Sequence, residues 1–453
     1  MRATKFRIRR FAFLLFVLVC SASMSLYWSR YIDAVRATLA SSPGLKPKAL
    51  SDLYPSWYAP RELLLHHRDP YGAQVNRELQ IAYYGKELDP SRPEERRDQQ
   101  RFVYPLYLIF LVGPLVWMPF HTARVVFFWS LAACAALNVV LWLRFLRMRL
   151  SWPAIAALFA LVMTSIPVLQ NLTILQPFLL PACFIAGTAA AVVSRRLFLA
   201  GALLAVATVK PQICVLLIAW LALWVCSDWK RRRPLLWGFT SVLAALILAS
   251  AWLLPGWLIG YPNVLIAYAG YTNARSFLEV LLPSPLHWLV AILALATAAG
   301  FCWRARHEPA DSAAFAIALS FALTLTVSIV PTVTQPFNHI LLLPAVLLAI
   351  RYWGELRNRT PLTRFATSVF CLSAFLPWLF AVVAISRPLT PNSGWLLKIW
   401  SVPLASSMAL PFAAFGVLIL LRRAVPWQPT SRPLPPGDLA ACMAKNKEQA
   451  ARG

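Results

Sequence analysis

Charge is scarce in this chain, and acidic charge scarcest. Only 13% of the 453 residues are charged, against roughly a quarter in ordinary soluble domains. Seventeen are acidic and 43 basic. With a hydrophobic share of 59%, that deficit excludes a disordered or nucleic-acid-tail protein and argues against a soluble enzyme. Soluble-catalyst signatures are missing as well: there is no GxSxG, Walker A, HExxH or GxGxxG. The eight cysteines form no CxxC or Cys/His metal spacing, and seven lie in or beside apolar runs, as small hydrophobes of a helix bundle do. No inverted repeat stands out, which weighs against a carrier built from one.

What the chain does have is long apolar runs separated by short basic clusters. The expected fold class is therefore all-α, a polytopic transmembrane helical bundle. The net charge of +26 would point to nucleic acid in a soluble protein, but here its distribution decides, and no nucleic-acid partner is expected. Ten of the 17 acids fall within residues 29–101, where 12 basic residues nearly balance them. The rest of the cationic excess lies between apolar runs, the pattern of the positive-inside rule.

Met1–Arg10 carries five basic residues ahead of the apolar run Phe11–Trp28. No cleavage site stands out and more spans follow, so residues 1–28 read as an uncleaved signal anchor with a cytoplasmic N-terminus. Residues 29–120 then form a large first extracytoplasmic loop with short amphipathic helices. Its final part, 102–120, contains Pro105, Pro114 and Pro119 and reads as re-entrant or interfacial, which keeps Arg144, Arg147 and Arg149 on the cytoplasmic side. Irregular backbone at membrane depth survives only where protein or a wet cavity covers it, so a cavity is expected near 102–120. Residues 121–421 hold the rest of the bundle, for about twelve spans in all. The runs at 197–209 and 340–353 are short for the roughly 20 residues a span requires and are expected to border a cavity. The tail 422–453 reads as a disordered cytoplasmic segment.

Candidate functional residues are polar groups where lipid forbids them. Lys210 ends the apolar run Leu197–Val209 on its outer side. A lysine deep in a span costs roughly 2.5–3.5 kcal/mol, so it pairs or lines water. Its ammonium suits a phosphate, unless it merely snorkels to the interface. His339 opens a short span and suits a sugar or phosphate, or is an ordinary interfacial histidine. Asn171 and Gln176 flank an outer turn, where amides bind sugar hydroxyls or join helices. His66 and His67, with Arg68 and Asp69, read as a solvated face. Asp52 stands among Tyr54, Trp57 and Tyr58 close to the membrane surface. Desolvation there favours a raised pKa, and such a carboxylate accepts a proton from a hydroxyl nucleophile. Ser51-Asp52 before an apolar-aromatic stretch is equally a helix-cap signature.

Taken in order, these elements resemble a known family. Asp52-Leu-Tyr-Pro-Ser-Trp-Tyr-Ala59, Arg68-Asp-Pro-Tyr71, Phe102-Val-Tyr-Pro-Leu106 and Gly113-Pro-Leu115 resemble motifs of glycosyltransferase family 87. These are polyprenyl-phosphate-mannose-dependent mannosyltransferase-like proteins with a GT-C fold. Leu199 to Lys210-Pro211 resembles its A-G-(apolar)-K-P run, Gln176 the glutamine of its G-Q-x-N motif, and Asn338-His339 to Pro344 its late H-x-L-L-P element. Asp69 stands where the family usually has Asn, and a single proline follows Tyr104 where two are common.

The resemblance implies inverting transfer of a hexose, mannose foremost, from a polyprenyl-phosphate donor to a glycan or glycolipid hydroxyl. It implies a multi-pass protein of the inner (plasma) membrane acting at its extracytoplasmic face. Asp52 is the implied general base. Lys210 holds the donor phosphate, helped by Arg275 or His339, and Gln176, Asn171, Asp69, Tyr58 and Tyr104 are the other implied substrate contacts. No cofactor is expected, and no metal, since no carboxylate cluster follows residue 101. The alternative is a transporter or flippase of lipid-linked saccharides. Against it stands the acidic-aromatic loop 29–101, which a carrier does not need. A third reading is a scaffold or a glycan polymerase or ligase; a polymerase or ligase would carry its large loop late in the chain.

Overall fold

The computed structural model describes residues 2–32, 50–89, 91–92, 99–272, 275–331, 333, 335–386 and 402–424. Most of the expected tail, from 425 on, and parts of the first loop, at 33–49 and 93–98, lie outside the described residues. All regular secondary structure among the described residues is helical. Six helices are long and apolar enough to cross a membrane: Phe11–Arg30, Phe120–Phe145, Trp229–Leu253, Leu286–Ala305, Pro361–Ile385 and Val402–Arg423. The pair Trp152–Met163 and Ile166–Ile174, bent by 51°, is long and apolar enough to make a seventh span if the two count as one, or else a re-entrant loop. The bend falls where Pro167, which has no N–H to donate, opens the second helix.

The twelve expected spans thus resolve into six long helices, seven with the bent pair, and several shorter ones. The short ones include Leu179–Val193, Leu197–Ala207, Val215–Ser227 and Ala313–Ile329. Hydropathy does not separate a helix facing lipid from one facing other helices. Fourteen of the 17 residues of Ala313–Ile329 are buried, and a helix apolar on every side belongs inside a bundle. Leu197–Ala207, at about 1.5 Å per residue, stops well short of a bilayer, and its broken end carries Lys210. The apolar runs leave residues 256–285 without an expected span, yet Trp257–Thr272 is helical, after a turn at Gly256 whose φ of +83° favours glycine.

Two helices meet with almost no space between them. A Cβ on Gly201 would lie 1.9 Å from the Leu235 carbonyl oxygen, and one on Gly238 would lie 2.0 Å from that of Phe198. Helices Leu197–Ala207 and Trp229–Leu253 therefore touch backbone to backbone, as small residues permit in membrane proteins. Gly201→Ala is expected to force them apart and lower stability by about 1–3 kcal/mol, read as a lower melting temperature in detergent. An unchanged melt would contradict this contact.

Several basic turns share one end of the bundle. Arg147 pairs with Asp311 at 2.8 Å, and the Arg351 guanidinium donates to the Leu146 carbonyl. The buried Arg232 donates to the carbonyls of Trp224, Arg306, His307 and Glu308. Arg195 and Arg196 precede Leu197–Ala207, while Lys210 follows that helix's opposite end.

The first loop builds a cap from two short helices, Leu53–His66 and Ala73–Tyr84. Leu53 is fully buried, and the Trp57 indole donates to the Leu115 carbonyl at 3.0 Å. Segment 106–115 is a short α turn flanked by two 3-10 turns, kept irregular by Pro105 and Pro114.

Candidate active site

Asp52 occupies the N-cap position of Leu53–His66 but does not cap it. Its backbone is αR, and no cap hydrogen bond forms. Instead its own N–H donates to the Ile174 carbonyl at 2.8 Å, and Oδ2 accepts from Gln176 Nε2 at 3.1 Å. The residue before it is tied down too, since the Ser51 carbonyl accepts from Tyr54 N–H and from the Tyr83 hydroxyl.

Gln176 is aimed by its surroundings. Leu175 is left-handed, at φ +53°, and ends helix Ile166–Ile174. The next N–H, that of Gln176, returns to the Asn171 carbonyl. Tyr104 OH donates to Gln176 Oε1 at 2.7 Å, which leaves the amide N–H₂ toward Asp52. Tyr104 is held in turn, because its carbonyl accepts from Tyr71 OH at 2.8 Å.

Lys210 lies in the break between Leu197–Ala207 and the 3-10 turn Pro211–Ile213. It is only 7% exposed, so it does not snorkel. Its ammonium rests against two aromatic faces, 4.7 Å from the Phe178 centroid and 5.2 Å from that of Phe337. Cation–π attraction offsets part of the dehydration cost. Tyr107 OH fixes the preceding turn through the Thr208 carbonyl at 2.8 Å.

Asp52, Gln176, Tyr104 and Lys210 line one cavity of about 320 Å³. Its polar walls also include Ser56, Gln100, Arg101, Gln212, Tyr268 and Gln335, none of which the sequence reading singled out. The available signal for Arg101 was its position, directly before the Phe102-Val-Tyr-Pro element. Among the described residues, no three His, Cys, Asp or Glu side chains gather as metal ligands do.

The structure places the other candidates elsewhere. Asn171 is fully buried behind the cavity, where its Nδ2 donates to the Phe337 carbonyl at 2.9 Å and so braces the ring over Lys210. Asp69 is exposed, and its Oδ1 accepts from Tyr71 N–H at 2.9 Å, which shapes the turn carrying Tyr71. Arg275 is exposed and does not line the cavity. His339 is buried against a different, apolar cavity of about 190 Å³, with Phe370 and Trp378 among its walls. His66 and His67 are exposed.

Tyr58 belongs to an ion network on the cap. Its hydroxyl donates to Glu78 at 2.7 Å, and Arg68 bridges Glu62 at 2.8 Å and Glu78 at 2.6 Å. Burial above all, and then the bond to Glu78, push the Tyr58 phenol up. The Arg68 hydrogen bond holds Glu78 below its ordinary value. A depressed carboxylate contributes stability that is present above its unfolded pKa and lost as pH falls through its lower folded value. Glu78→Gln is therefore expected to lower the melting temperature at neutral pH and to flatten its decline in acid. An acid limb as steep as the wild type's would contradict the pairing.

The fold and this cavity define a polytopic helical membrane protein in which a carboxylate and a buried cation line one shared cavity. The model of glycosyltransferase family 87 matches residues 102–331, slightly more than half of the chain, and the protein belongs to that family. It is thus a membrane glycosyltransferase. The matched stretch contains Tyr104, Gln176 and Lys210 and begins after Asp52. No curated protein and no solved structure matches the chain.

Proposed function

We propose that the protein transfers a hexose, mannose foremost, from a polyprenyl-phosphate donor to a hydroxyl of a glycan or glycolipid, with inversion at the anomeric carbon. Asp52 is the general base, and Lys210 receives the donor phosphate. The observation that carries this reading is the shared cavity. The Asp52 carboxylate is turned away from its helix and toward Gln176, in the space that Lys210 also lines. The acceptor hydroxyl needs a base to become nucleophilic. The leaving phosphate is already anionic and needs a cation more than an acid. Asn171 holds the Phe337 carbonyl behind Lys210, and Asp69 shapes the turn whose Tyr71 holds Tyr104.

The face is the extracytoplasmic side of the inner (plasma) membrane. The basic turns at 147, 232 and 351 gather at one end of the bundle, which the positive-inside rule assigns to the cytoplasm. Lys210 lies at the far end of a helix that Arg195 and Arg196 precede.

The test is transfer by the purified protein in proteoliposomes from mannosyl polyprenyl phosphate to a glycolipid pool. A covalent product of inverted anomeric configuration is expected. Movement of the lipid-linked sugar across the bilayer with no covalent product would favour the flippase alternative and overturn this function.

A further inference from the structure

Three of the described residues lining the cavity carry formal charge: Asp52, Lys210 and Arg101. Arg101 is half-buried, directly before the Phe102-Val-Tyr-Pro element. Gln100 before it is left-handed, at φ +54°, and Phe102 after it is 1% exposed. Two positions further on, Tyr104 is bound into the relay to Asp52. The Arg101 backbone is therefore fixed from both sides. Its Nε is buried and has no hydrogen-bond partner among the described residues. A native structure seldom strands a buried donor unless something else is to fill the place. Arg275 and His339, the partners expected for Lys210, both lie away from this cavity.

Charge balance across the reaction indicates what fills it. This step rests on the function proposed above. A sugar phosphodiester donor carries one negative charge, and Asp52 adds another. The bond from the anomeric carbon to the phosphate oxygen breaks, and its electron pair stays on that oxygen. The acceptor oxygen bonds the anomeric carbon, and its proton passes to Asp52. The products are a neutral Asp52 and a phosphomonoester dianion. Both ends of the reaction thus present two negative charges. Lys210 alone leaves one uncompensated throughout, which a desolvated site tolerates poorly. Lys210 with Arg101 balances the site before and after transfer. A diphosphate donor would bring one negative charge too many.

We propose that Arg101 is the second ligand of the donor's phosphate, its guanidinium fork paired with the Lys210 point charge, and that the two select lipid monophosphates over lipid diphosphates. The fork matches two phosphate oxygens at once, which a lysine cannot do.

The experiment measures binding of sugar-free undecaprenyl phosphate, undecaprenyl diphosphate and undecaprenol to the full-length protein in nanodiscs. The wild type is expected to bind the monophosphate tightest. Arg101→Gln is expected to lose about 10- to 100-fold of that affinity, the range carried by a hydrogen bond to a charged group, and to bind undecaprenol unchanged, which also reports correct folding. Arg101→Lys keeps the charge but loses the fork, and is expected to fall between the two. A wild type that does not distinguish monophosphate from undecaprenol would overturn the polyprenyl-phosphate function itself. A wild type that does, with Arg101→Gln and Arg101→Lys matching it, would overturn only the role of Arg101. A preference for the diphosphate would overturn the charge-balance argument.

Discussion

Asp52→Asn is expected to reduce sugar transfer by about 100- to 10,000-fold, the contribution of a positioned general base. The substitution is nearly isosteric. An asparagine carbonyl at that place still accepts from Gln176 Nε2, and the backbone bond to Ile174 does not involve the side chain. No helix cap is lost, because Asp52 makes no cap hydrogen bond. Folding and donor binding are therefore expected to survive while the acceptor hydroxyl keeps its proton. The loss falls on kcat, because the group acts in the transition state. Activity within a factor of two of wild type in a proteoliposome assay would remove Asp52 from the chemistry.

Lys210→Met separates stability from function. The thioether has similar reach and packs well against the Phe178 and Phe337 rings. Two rings at these distances stabilise a desolvated cation by about 2 kcal/mol or more, which nearly offsets the roughly 2.5–3.5 kcal/mol that a buried lysine costs. The net effect on stability is thus expected to be within about 1 kcal/mol. Transfer is expected to fall about 100- to 1,000-fold, as when a single preorganised electrostatic group is removed. A lysine kept only for structure, as half of a buried ion pair, would show the reverse: a loss of about 3–5 kcal/mol in stability. Melting temperature and transfer rate, measured on the same preparation, decide between the two.

Part of this site was legible in the sequence for one reason: a polar residue inside an apolar run has no cheap place to go. That argument led to Lys210 and Gln176, both of which line the cavity. It led equally to Asn171 and His339, which face elsewhere. Depth in a span is readable from neighbours, but azimuth is not, because helices with apolar residues on every side give no periodic cue. Asn171 belongs to the site through the Phe337 carbonyl that its side chain holds and the Gln176 N–H that its own carbonyl accepts. Arg101 was missed for the opposite reason. It stands in a loop rich in both signs of charge, where one more basic residue is marked only by its place before the Phe102-Val-Tyr-Pro element. The cap signature of Asp52 was legible locally, but its side chain makes no cap hydrogen bond and accepts instead from Gln176, 124 positions along the chain. The helical class was plain from composition. The number of crossings was not, because a helix buried among helices is as apolar as one bathed in lipid.

The glycine contact has a mechanical corollary. With Gly201 and Gly238 pressed onto opposing carbonyls, those two helices behave as one welded plate, and the Lys210 turn is cantilevered from its rim. Leu265, Tyr268 and Ala269 line the cavity from helix Trp257–Thr272, whose only buried side chains among the described residues are Trp257 and Val264. The two walls are thus held differently, one by a backbone-to-backbone contact and the other by two buried side chains.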